Sequence, residues 1–78
     1  MLLENYLKGY DIADVSLDES GYNYYGFTRP DGSVRILRES IDGLEYRYYI
    51  SKDNYNTRWA SRVSLVYRKT YDLPQRPN

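Results

Sequence analysis

The chain has 78 residues, with 11 basic and 11 acidic side chains and neither cysteine nor histidine. That length is one domain, and the two missing residue types exclude disulfide staples, zinc sites of the usual Cys/His kinds and every Cys–His or Ser–His nucleophile pair. A chain this small hides only about 60% of its unfolded surface, so its support has to come from packing of its 11 tyrosines, one tryptophan and one phenylalanine, or from a partner.

Charge is balanced overall but not along the chain. Residues 1–45 carry four basic against nine acidic side chains, and residues 46–78 carry seven against two. The halves either pair internally or meet copies of the chain head to tail. A net charge of zero counts against sequence-independent nucleic-acid binding.

In chain order, Leu2, Leu3, Tyr6 and Leu7 have the spacing of about two helical turns, stopped by Gly9. So short a helix has to dock on its own sheet or on another chain. The first eleven residues lack a basic n-region and a long apolar stretch, so they do not read as a secretion signal. No apolar run approaches the ~18 residues of a membrane span. Tyr10 to Ser20 alternates loosely at Ile12, Val15 and Leu17 between several acids, and reads as an extended arm or lead-in strand.

The strongest local signal is Tyr22–Ser40. Aromatic residues at 22, 24, 25 and 27 suit a pleated surface. Arg29-Pro30-Asp31-Gly32 then supplies a type I turn with glycine at its end, and Val34 resumes a strand. Facing Thr28 with Ser33 places Tyr25, Phe27, Val34 and Ile36 on one side, and Tyr24, Gly26, Arg35 and Leu37 on the other. Gly26, inside a strand, predicts a bulge or a large neighbouring aromatic lying across it. Asp42-Gly43 marks the next turn, and Leu44–Ile50 alternates cleanly as a third strand. Ser51–Ser61 has Asp53 or Asn54 as a cap for one or two helical turns holding Trp59, read as a plug at one end of the core with its N–H on a backbone carbonyl. Arg58 and Arg62 flank that ring, able to clamp an acid, reach Asp53 or meet another chain. Arg62–Thr70 is predicted as the fourth strand, and Pro74 and Pro77 mark an extended tail.

No catalytic constellation or phosphate-cradling glycine loop is present. Asp11, Asp14 and Asp18 lack the glycine and closing glutamate of a calcium loop and read as a solvated acidic face. The residues thus predict no enzyme, no cofactor and no metal.

The ordered set Asp11-Ile12-Ala13-Asp14, Tyr24-Tyr25-Gly26-Phe27, Pro30-Asp31-Gly32-Ser33, Ile36-Leu37-Arg38-Glu39, Tyr46-Arg47-Tyr48 and Trp59-x-x-Arg62-x-x-Leu65-x-Tyr67 resembles a group of small, mostly uncharacterised proteins of tailed phages and prophages. Those proteins typically carry tryptophan where this chain has Val34 or Arg35, so the role of that ring does not transfer. The resemblance implies a virion-associated structural, adaptor or decoration protein, located in the virion; otherwise the chain is expected in the cytoplasm.

The combined expectation is an all-β, four-stranded antiparallel meander, a twisted sheet or half-barrel, over residues 21–72. An N-terminal helix or arm (1–20) precedes it, a short helical turn precedes the last strand, and a tail (73–78) follows. The core face is expected to hold Tyr25, Phe27, Val34, Ile36, Tyr46, Tyr48, Val63 and Leu65, with Trp59 as plug. The residues expected to contact other copies or other virion proteins are Tyr24, Arg35, Leu37, Arg47, Tyr49, Arg58, Trp59, Arg62 and Arg68, together with the N-terminal segment. The alternatives are a module that binds carbohydrate or single-stranded nucleic acid on exposed Tyr, Trp and Arg side chains, or an inhibitor of a host protein.

Overall fold

Three tight turns let the chain fold back on itself three times. In a computed structural model, which describes residues 8–69, strands β1 (Asp11–Glu19), β2 (Tyr22–Thr28), β3 (Val34–Ser40) and β4 (Tyr46–Ser51) form one open antiparallel sheet in the order β1-β2-β3-β4. A short helix α1 (Tyr55–Ala60) and a 3-10 turn (Arg62–Ser64) follow β4. The N-terminal helix and C-terminal tail expected from sequence lie outside the described residues.

The β2–β3 turn forms as its residues predict. The Gly32 N–H donates to the Arg29 carbonyl at 2.9 Å, and the Arg29 N–H to the Ser33 carbonyl at 3.0 Å. Gly32 sits at φ 93°, a value that glycine adopts at little cost. This is a type I turn closed by a bulge, and the bulge sets two residues, Gly32 and Ser33, opposite Arg29. Thr28 therefore pairs with Val34, Gly26 with Ile36 and Tyr25 with Leu37. The hairpin is shifted by one residue from the expected register, which exchanges the faces of β2 relative to β3.

One face of the sheet accordingly gathers Tyr24, Val34 and Ile36, all buried, with Tyr22, Tyr49, Tyr55, Trp59, Leu65 and Tyr67 packed against them. The other holds buried Leu37 and Tyr48, flanked by Tyr25, Phe27, Tyr46 and Ile50. The single core face expected from sequence was a mixture of the two.

The four-strand count stands, but one strand has a different identity. Residues 10–20, read as an arm or lead-in strand, contain the nine-residue β1, paired along β2. Residues 62–70 do not add a full strand. The Ser64 N–H and hydroxyl both bond to the Ser61 carbonyl, at 2.9 and 3.0 Å, and hold the chain in the 3-10 turn. Val63, expected in the core, is exposed. Among the described residues of this segment, Arg68 makes the one main-chain pairing with the sheet, exchanging bonds of 2.7 and 2.8 Å with Tyr48.

Candidate functional site

α1 and the residues after it lie across the first face because that face has a slot for them. A Cβ on Gly26 would overlap the Tyr55 hydroxyl and lie 2.9 Å from both Trp59 Cε3 and Tyr55 Cζ, so the missing side chain makes the space the two rings fill. The rings stack with centroids 6.1 Å apart and planes inclined by 15°. The large aromatic expected over Gly26 is there. Trp59 lies over Gly26 of β2.

Two polar contacts tie this segment to β1. The Tyr55 hydroxyl donates to Asp14 Oδ2 at 2.8 Å. Arg62 grips Glu19 through Nε and Nη2 at 2.8 and 3.2 Å, donates from Nη1 to the Trp59 carbonyl at 2.9 Å, and lies 4.5 Å over the indole. Hydrogen bonds from Arg62 and Ser16 hold the Glu19 carboxyl below its ordinary value. Burial, reinforced by Asp14, pushes the Tyr55 phenol well above its ordinary value, and burial does the same to Tyr67.

The remaining rings are laminated in the same way. Tyr22, Tyr24, Tyr67 and Tyr49 form a run of neighbours at 6.3, 6.0 and 6.3 Å. The Arg38 guanidinium lies 4.4 Å from the Tyr22 ring and 4.8 Å from that of Tyr67. On the other face Arg35 donates to the Tyr10 hydroxyl at 3.2 Å, and Arg29 lies 5.0 Å from the same ring. Burial raises the Tyr10 pKa, but the hydrogen bonds and charge of Arg35, with further bonds from Arg29 and Ser33, outweigh it and bring the phenol below its ordinary value. Every described aromatic residue is thus buried or half-buried.

That arrangement corrects the expected contact surface. Tyr24, Arg35 and Leu37 are 1%, 2% and 4% exposed, interior residues that the register shift and the Tyr10 lid place inside the chain. Tyr49 packs on Tyr67, and Trp59 and Arg62 belong to the clasp just described. Arg47 donates to the Tyr46 carbonyl and lies 3.7 Å from Glu45; Arg58 lies 3.9 Å from Asp53. Arg68 alone of the nine is exposed.

The surface that does stand open is aliphatic and lies within the N-terminal segment, residues 1–20. On β1, Ile12, Val15 and Leu17 are 57%, 48% and 63% exposed. Ile12 pairs with Phe27 and Val15 with Tyr25, so both lie on the second face, while Asp14, Ser16 and Glu19 take the clasp side. Among the described residues β1 is paired only with β2, so its outer edge is free. The available signal was apolar residues strung among Asp11, Asp14 and Asp18, which read as a solvated arm only if the segment is not a strand.

An open depression of about 550 Å³ also lies between the β1–β2 and β3–β4 turns, lined by Ser20, Tyr22, Ser40, Asp42 and Glu45. Its Asp42 carboxylate already accepts from the Ser40 hydroxyl at 2.6 Å and the Leu44 N–H at 3.0 Å. No cluster of acids among the described residues is placed to hold a metal ion, and no helix there is long and apolar enough to cross a membrane. Compared with known proteins, the chain matches no family model, no curated protein and no solved structure.

Proposed function

We propose that this chain works by protein–protein assembly, as a virion-associated structural, adaptor or decoration piece of the tailed-phage kind, with β1 as its contact strand. The observation that carries the assembly reading is the exposed series Ile12, Val15 and Leu17 on a strand paired on one side only among the described residues. A free edge with apolar side chains is a template for pairing with another chain. The phage setting rests on the order of motifs from Asp11 to Tyr67.

Induction of particles from the strain carrying the gene tests it. The chain should band with particles in a density gradient at fixed stoichiometry, and the double variant Ile12→Lys, Leu17→Lys should stay in the soluble fraction. Wild-type chain left wholly soluble overturns the virion role. If it is then recovered on a host protein, inhibition of that protein becomes the better reading. The stacking-module alternative has less support, because the Trp59 ring is occupied by Tyr55, Arg62 and the Gly26 backbone.

A further inference from the structure

The two margins of the sheet are unlike in charge and alike in exposing aliphatic side chains. Paired residues run straight across it from Val15 through Tyr25, Leu37 and Tyr48 to Arg68. At the β1 margin Asp11, Asp14 and Asp18 are exposed beside Ile12, Val15 and Leu17. At the far margin, among the described residues, Val66 (74% exposed), Arg68 and Lys69 are exposed.

We infer that copies of this chain join head to tail, the acidic β1 margin of one meeting the basic Val66–Arg68 margin of the next. Opposite charge selects this pairing. A symmetric β1–β1 contact would set the β1 aspartates against their own copies, and like charges opposed across strands are destabilising. The register shifts between Ile12 and Asp14 and between Ser16 and Glu19 act in the same direction, since they deny a regular template to indiscriminate edge partners. Side-chain charge and aliphatic contact then choose the partner. The contact uses different surfaces on its two sides, so it grows into a ring or an open filament rather than stopping at a dimer.

This inference rests on the assembly reading but can fail without it. Sedimentation velocity on the full chain at ~20 mM and ~500 mM salt tests it, because screening weakens exposed charge pairs. Two blocked forms are needed: Asp11→Lys with Asp18→Lys, which spares the bonded Asp14, and Val66→Glu with Arg68→Glu. Wild type should form species larger than dimers at low salt that shrink at high salt. Each blocked form should be monomeric at low salt, its association weakened on the order of tenfold or more, with unchanged circular dichroism. Mixed in equal amounts, the two should associate again, because their retained margins are complementary and their reversed charges are opposite as well. A monomeric wild type, a dimer of wild type that does not grow, or a mixture that stays monomeric overturns head-to-tail union. A monomer that still bands with particles leaves the assembly reading standing.

Discussion

Gly26 decides how the outer layer meets the sheet. Its missing side chain admits Tyr55 and Trp59 against the backbone, and nothing flexible stands ready to move aside. We expect Gly26→Ala to destabilise the chain by about 1–3 kcal/mol, the usual cost of overpacking. Chemical denaturation measures the loss, and a changed Trp59 emission in the folded state reports the displaced ring. The opposite defect is available at Ile36, which is fully buried beneath the same layer. Ile36→Ala should cost about 2–5 kcal/mol through lost burial and the cavity left behind. An Ile36→Ala loss below ~1 kcal/mol would mean the layer collapses to fill the space.

At the scale of elements, bulges mark where sequence stops specifying structure. The Pro30-Asp31-Gly32 turn was legible because each residue has a conformational reason to be there. The bulge it ends in absorbs one residue and reverses the faces, which put Tyr24 and Leu37 in the interior instead of on the expected surface. β1 was harder to read for the same reason. Two register shifts spoil its two-residue alternation, and acids at 11, 14 and 18 dominate what remains. Arg62–Thr70 misled in the other direction. It alternates as a strand should, but the helix and serine-bonded 3-10 turn hold its first part away from β4. Within the clasp, Arg62 and Glu19 were foreseeable only as an arginine seeking an acid; the topology that brings β1 alongside names the acid.

The clasp also sets a pH dependence with two limbs. The Glu19 pKa is depressed in the folded chain, so its contribution is complete above the ordinary carboxylate value and is lost as pH falls through the depressed one. The Tyr55 and Tyr67 pKa values are raised, so theirs is complete below the ordinary phenol value of 10.0 and declines as pH rises above it. Melting temperature against pH should therefore fall at both extremes. Glu19→Gln should flatten the acid limb, and Tyr55→Phe the alkaline one. An alkaline limb unchanged in Tyr55→Phe would remove that phenol from the account.

For the whole molecule, aromatic surplus and aliphatic exposure have separate consequences. The aromatic rings satisfy one another: the tyrosines laminate with Arg38 and Arg35, and Trp59 with Arg62, into layers that a small cysteine-free chain needs for its own stability. The aliphatic side chains of β1 do little of that work, since Ile12 and Leu17 are each more than half exposed. Removing them should accordingly divide stability from association. We expect Ile12→Thr with Leu17→Thr to change unfolding free energy by no more than about 0.5 kcal/mol per site, the range of ordinary surface substitutions. Threonine is β-branched, a shape that suits a strand, so β1 itself should persist. The same variant should bind less of a hydrophobic dye and associate less at a given concentration. A large stability loss would instead show that these side chains pack within the chain, and β1 would then be a core strand with no surface left to offer a partner.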